Sequence, residues 1–361
     1  MSVTSAYRTS IQVLKGSPML ASMAAGWLAS EFPPQAVTAR ALSSLRDERV
    51  NQYARTLGAQ GADVVLDQAL KETFGGDYME WVHHPSEPVD RPPRRRRRRT
   101  PSISDVSYGP GGLAHQLDIW LPESPTGTPA PVLFQIPGGA WMMNDKRGQA
   151  YAQMARMVDL GWICVAVNYR RSPSHTWPAH IEDVTRALAW VRRNIGDYGG
   201  DPGFIALTGG SAGGHLCALA ALTAIEPVQA AVPYYGVYDL TRAENMHPMM
   251  LPYLERVVFK SLFAEDPGRF EAASPIHYVS ACAPPFFVLH GDRDPIVPSV
   301  QAQLFCGALR DRGAETVCRA ELPNAAHAFD TATSVRSRVV ADAVATFLGI
   351  VYCRYARMRA A

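Results

Sequence analysis

Between residues 130 and 350, short apolar runs alternate with longer stretches whose apolar positions recur every three or four residues. The runs at 132–136, 163–169, 204–207, 230–234, 286–289 and 316–322 are brief and rich in branched and aromatic residues, so they read as strands. The stretches 147–160, 181–195, 297–312 and 335–348 carry the helical period, and Leu216, Ala218, Leu219 and Leu222 mark one more helix after the third run. Strands alternating with helices imply right-handed crossovers and a mostly parallel sheet covered on both faces, an α/β fold. Ahead of this series, 104–108 and 116–121 alternate around Pro110-Gly111-Gly112, which predicts an antiparallel hairpin at the sheet edge.

The first 90 residues follow another rhythm. A helical pattern runs from about 37 to 73, and an alanine-rich apolar stretch, 19–29, lies behind Arg8 and Lys15. That stretch is too short to span a bilayer. It reads as an amphipathic or capping helix, with a cleaved signal peptide or a membrane-surface contact as the alternative. Next comes an unbroken block of arginines from Arg94 to Arg99, flanked by Pro92, Pro93 and Pro101, which predicts an exposed linker.

Composition narrows the class. A chain of 361 residues with 47% hydrophobic content can bury a large core, and a formal charge of +2 gives it no overall character of a polyanion binder. Basic charge is concentrated in Arg94 to Arg99, where no interleaved aromatics or basic helix support nucleic-acid binding. A solvated linker is the plain reading, and weak contact with an anionic membrane the alternative. Six cysteines without a C-x-x-C pair fall mostly inside apolar patterns, so they are expected to be small buried residues of a protein kept in a reducing compartment, the cytoplasm.

A parallel sheet presents its chemistry beyond the C-terminal ends of its strands. The strand 204–207 runs into Gly209, Ser211 and Gly213, a G-x-S-x-G turn between strand and helix that lifts a serine hydroxyl above the sheet. Three other strand ends carry Pro137-Gly138-Gly139-Ala140-Trp141, Gly291-Asp292-Arg293-Asp294 and Pro323-Asn324-Ala325-Ala326-His327. A serine hydroxyl is a poor nucleophile at neutral pH, so a neutral imidazole must take its proton as it attacks a carbonyl, and His327 is the candidate base. Asp294 would hold the other ring nitrogen, with Asp292 as the competing acid; His290 and His215 are read as structural. A tetrahedral intermediate also needs N–H donors for its oxyanion. Gly138, Gly139, Ala140 and Ala212 make up the expected oxyanion hole, with Gly139, Ala140 and Ala212 donating and Gly138 shaping the turn.

Taken together, PGGAW at 137–141, NYR at 168–170, HTWPAHIEDVTRALAWV at 175–191, GGDP at 199–202, GGSAGG around Ser211, HGDRDPIVP from His290 and AAHAF around His327 resemble the α/β-hydrolase superfamily. Within it the chain is similar to the esterases related to hormone-sensitive lipase and to carboxylesterases with an H-G-G-x-W loop. The resemblance covers roughly 101–350. It implies a serine hydrolase that cleaves carboxylic esters of small to medium acyl groups through an acyl-enzyme, with no metal or cofactor and a small-molecule ester as partner. Alternatives are an amidase or formamidase with the same triad, or a non-catalytic ligand-binding member of the fold. The family's H-G-x-x-D pattern favours Asp294 over Asp292. One departure stands out: Pro137 replaces the usual histidine and offers neither an N–H nor an imidazole, so the loop must be anchored otherwise.

The expected organisation is thus a helical extension or cap element over 1–90, a linker over 91–100, an α/β-hydrolase catalytic domain over 101–350 and a tail over 351–361. Residues 238–283 are too many for a simple crossover and carry Met246, Met249, Met250, Leu251, Tyr253, Leu254, Phe259 and Phe263. They either line an acyl or aromatic pocket beneath a cap or form plain core.

Overall fold

A computed structural model describes residues 59–86, 100–123, 127–143, 145–225 and 227–360. The apolar stretch 19–29, most of the helical pattern 37–73 and the block Arg94 to Arg99 lie outside them.

In chain order the elements are α1 (Ala62–Phe74), β1 (Ile103–Ser107), β2 (Gln116–Trp120), β3 (Ala130–Ile136), α2 (Tyr151–Asp159), β4 (Ile163–Val167) and α3 (Ala179–Asn194). They continue with β5 (Gly200–Gly210), α4 (Ala212–Thr223), β6 (Ala230–Tyr234), α5 (Met250–Tyr253), α6 (Pro267–Ala272), β7 (Phe286–Gly291), α7 (Val300–Asp311), β8 (Val317–Leu322) and α8 (Val335–Ala360). The strands form one eight-stranded sheet in the order β1-β2-β4-β3-β5-β6-β7-β8. The β1–β2 hairpin and the β2–β4 pair are antiparallel, and every other pair is parallel, as the alternation of patterns predicts.

Each central strand is buried on both faces because successive side chains feed two cores. Val132, Phe134 and Ile136 of β3 join Ile205 and Leu207 of β5 in the core under α3, α4 and α7, and Leu133, Phe204 and Ala206 join the opposite core under α1, α2 and α8. Leu66 and Leu70 of α1 belong to that second core. The described part of the segment 1–90 is therefore packed into this core.

Three boundaries differ from the sequence pattern, each for a tertiary reason. β5 runs on to Gly210 because its pairing with β3 and β6 continues through Ile136 with Gly209 and Gly210 with Tyr234. α2 starts at Tyr151, not at 147, because the preceding residues turn their side chains elsewhere: Arg147 pairs with Asp118 at 2.5 Å and Gln149 reaches the 137–141 loop. The expected tail over 351–361 is instead the last turns of α8. Tyr352 and Tyr355 pack against Phe204 with ring centroids 5.1 and 5.0 Å apart, and Tyr355 Oη and Arg359 both donate to Asp201. α8 is apolar and long enough to cross a membrane, yet 67% of its apolar window is buried in the protein, as befits a core helix.

The insertion 238–283 divides its apolar residues. Met246, Leu254 and Phe259 are core, whereas Met249 is exposed. Of the cysteines, Cys164, Cys217, Cys306 and Cys318 are buried and free, while Cys282 is exposed.

Candidate active site

The serine at the end of β5 occupies a backbone conformation that the neighbouring glycines make possible. Ser211 has φ 59° and ψ −121°, and a Cβ on Gly209 would sit 2.4 Å from Gly213 O, while one on Gly213 would sit 2.2 Å from Ile136 O. Only hydrogen at both positions lets the strand and α4 come this close. The turn leaves Ser211 at the N-terminus of α4, where the Ala212 N–H has no acceptor within the helix.

Three loops meet at this serine. His327 Nε2 lies 2.8 Å from Ser211 Oγ, and His327 Nδ1 lies 2.6 Å from Asp294 Oδ2. The Asp294 side chain is fully buried; its other oxygen accepts the backbone N–H groups of Ile296 and Val297, each at 2.9 Å. Burial alone would raise its carboxyl, but the charge and hydrogen bonds of His327 and His290 outweigh that and hold it well below the usual carboxylate range. An ionised Asp294 keeps the Nδ1 proton in place and leaves Nε2 free to accept from the serine hydroxyl. Asp292 points outward and is exposed, so of the two acids only Asp294 joins the row.

The Pro137 departure is answered by side chains that pin the loop peptide by peptide. Tyr169 Oη donates to Pro137 O at 2.9 Å, and the Gly138 N–H on the other side of the same peptide donates to Gln149 Oε1 at 2.6 Å. Gly138 therefore shapes the turn and has no N–H to spare, and its missing Cβ is required because that atom would fall 2.2 Å from Gly210 O. Gly139 O accepts from the N–H groups of Met142 and Met143 at 3.0 and 2.8 Å. Since a trans peptide points its C=O and N–H in opposite directions, the Ala140 N–H is turned away from that turn. Ala140 O in turn accepts from Tyr253 Oη at 2.6 Å, so the 238–283 insertion holds the loop directly.

Trp141 completes the frame. Its Nε1 donates to His215 Nδ1 at 3.2 Å, and the remaining nitrogen of His215 donates to Ala273 O at 2.6 Å, tying loop, elbow helix and insertion through one neutral imidazole. His215 is thus structural, as is His290, whose Nε2 donates to Val297 O. Of these anchors, Tyr169 stands in the NYR motif, where its neighbour Arg170 forks onto the buried Asp183 of α3 at 2.8 Å. Gln149 and Tyr253 carry no motif.

The buried histidines set an acid limit on stability. Burial lowers His215 to about 4 against the opposing bond to Ala273, and burial with the nearby His215 lowers His180 to about 4. Because both sit below the unfolded value of 6.5, the unfolded chain takes up these protons first, so stability is full above pH 6.5 and falls toward pH 4. At about pH 5 the loss should be on the order of 2 kcal/mol for each histidine. Urea midpoints at about pH 7.5 and pH 5 check this, and equal midpoints would sink it.

Among the described residues no group of His, Cys, Asp or Glu gathers as a metal site. The BD-FAE family profile matches residues 117–309. The chain is 54% identical over 372 residues to Esterase LipQ of Mycobacterium tuberculosis (strain ATCC 25618 / H37Rv), covering 96% of this chain and 88% of that one. Among solved structures it resembles a truncated carbohydrate esterase from gut microbiota, with TM-score 0.60, 27% identity, and 70% of this chain and 96% of the other covered. It also resembles a thermophilic esterase of the Planctomycetes species Thermogutta terrifontis with propionate bound, with TM-score 0.56, 25% identity and coverage of 69% and 92%. A parallel sheet with a serine elbow at its centre, together with these likenesses, makes the chain a carboxylic ester hydrolase of the α/β-hydrolase superfamily and a member of the BD-FAE family.

Proposed function

We propose that Ser211, His327 and Asp294 are the catalytic triad of this esterase, and that Gly139, Ala140 and Ala212 supply its oxyanion donors. The observation that carries the reading is the continuous row from Asp294 Oδ2 through His327 to Ser211 Oγ, at 2.6 and 2.8 Å. In acylation His327 Nε2 takes the hydroxyl proton as Ser211 Oγ bonds to the ester carbonyl carbon. The carbonyl oxygen gains the negative charge and is met by amide donors fixed in advance, each worth about 3 kcal/mol of barrier. The tetrahedral species collapses, the C–O bond to the alcohol breaks, and His327 returns the proton to the leaving alkoxide. Water then enters, gives a proton to His327 and attacks the acyl carbon, and the acid leaves as Ser211 regains its hydrogen.

The acyl groups favoured are small to medium. The insertion spends its largest apolar side chains, Leu254, Val258, Phe259 and Phe270, inside the core and not on an open acyl-binding face. Propionate in the Thermogutta esterase points the same way. A series of p-nitrophenyl esters tests this: kcat/KM is expected to peak between acetate and hexanoate and to fall about tenfold or more by laurate, since methylenes beyond a closed pocket gain no transition-state binding. A maximum at palmitate, or faster turnover of N-formyl arylamines than of any ester, overturns the assignment.

A further inference from the structure

The His327 ring is in contact with a residue that the triad does not use. The ring of Tyr235 lies against the imidazole with centroids 4.6 Å apart and planes inclined at 57°. Tyr235 follows β6 directly, is fully buried, and has φ 35°, a left-handed backbone unusual for an aromatic residue. Its N–H is held by Leu289 O at 2.7 Å and Phe329 stands edge-on to its ring at 5.1 Å. Its hydroxyl donates to Oδ1 of Asp330, which lies on the same loop as His327, three residues on. Asp330 is itself buried. Burial pushes its carboxyl above the usual range, against the Tyr235 bond, its own backbone N–H and the charge of His327, which pull the other way. A buried acid whose side chain is met by a phenol is costly unless that phenol needs it.

We infer that Tyr235 and Asp330 are a positioning pair for His327: Asp330 fixes and polarises the Tyr235 hydroxyl, and the Tyr235 ring packs against the imidazole and stabilises the imidazolium formed during attack. The inference rests on the triad reading above. No proton passes through the pair. Ser211 gives its proton to Nε2, Nδ1 keeps its own toward Asp294, and the positive charge then resides on a ring facing an aromatic within cation–π range. A phenol that donates to a carboxylate carries more electron density on its ring, which strengthens that attraction. The groups facing His327 are Asp294, with His290 behind it, from the turn after β7, Ser211 from the elbow, Tyr235 from the end of β6, and Asp330 from its own loop. Asp294 touches Nδ1 directly and has the larger effect; the pair adds to it.

Full-length Tyr235→Phe, Asp330→Asn and the double variant are compared with the unsubstituted protein on p-nitrophenyl butyrate. Tyr235→Phe is expected to lower kcat about three- to tenfold with KM within about twofold. The acid limb of kcat/KM, which reports protonation of the free base, should move about half a pH unit lower. Asp330→Asn should shift both in the same sense by less, and the double variant should be no worse than Tyr235→Phe, because Asp330 acts only through the hydroxyl. If Tyr235→Phe does not fold by thermal melting, Asp330→Asn carries the same two readouts. Folded variants with unchanged kcat and an unmoved acid limb overturn the proposal, as does an acid limb moved upward, which is what a merely loosened and hydrated His327 produces. Retained activity in Ser211→Ala is a different result, one that removes the triad reading whatever the Tyr235 variants do.

Discussion

Ser211→Ala is expected to lower kcat on a short p-nitrophenyl ester by about a million-fold while leaving KM and the thermal midpoint nearly unchanged. The size follows from covalent catalysis. Without the hydroxyl no acyl-enzyme forms, and what remains is the modest stabilisation from oriented amide donors acting on a water attack. The fold should not notice, because among the described residues the Ser211 side chain makes one hydrogen bond, to His327, and alanine has the same Cβ in the same φ 59° turn. His327→Ala should cost about as much, and the two together little more than either, since the residues act as a unit. A fluorophosphonate probe gives the covalent counterpart: the unsubstituted chain is labelled and Ser211→Ala is not. Label on another serine, or kcat within about tenfold of the unsubstituted chain, moves the nucleophile elsewhere.

The elbow and the two partner loops were legible because their constraints are local. Gly209 and Gly213 are glycines for reasons of contact within a few residues of Ser211, and Asp294 and His327 follow strands whose apolar runs are unmistakable. The parallel sheet came through for the same reason, each of its strands being an apolar run set off from its helices. What stayed hidden was settled at a distance. The sequence Cys353-Arg354-Tyr355-Ala356-Arg357-Met358-Arg359 reads as a polar tail, yet Tyr355 is drawn onto Phe204 and Arg359 onto Asp201, more than a hundred residues away, and the helix persists. Gln149 sits in a stretch with a helical period and betrays nothing of its bond to Gly138. Tyr253 reaches Ala140 across 113 positions from a segment whose apolar residues fit pocket and core equally well. Proline at 137 in place of histidine requires other anchors for the loop without indicating where they lie.

Those anchors give the second large effect. Gln149→Leu keeps the size of the side chain but removes the acceptor of the Gly138 N–H, leaving a buried donor unpaired and the 137–138 peptide held from its Pro137 carbonyl side alone. The oxyanion donors proposed at Gly139 and Ala140 lie just beyond that peptide, and a misplacement of about 1 Å in such a group costs on the order of a hundredfold in rate. We expect kcat to fall by about that factor with KM within about threefold, because the bond orients amides that meet the oxyanion and not the ground-state ester. Gly138→Ala strikes the same loop by force: its methyl would lie 2.2 Å from Gly210 O, backbone that cannot yield without moving the elbow, so the loss should be at least as large. Gln149→Glu separates the bond from the residue's bulk. Its carboxylate still accepts from Gly138 and should recover much of what leucine loses, provided the assay is run well above the range where a buried glutamate takes up a proton. If leucine and glutamate at 149 are equally impaired, the bond accepted from Gly138 is not what the site takes from this residue; if leucine is as active as glutamine, the loop is held by Tyr169 and Tyr253 without it.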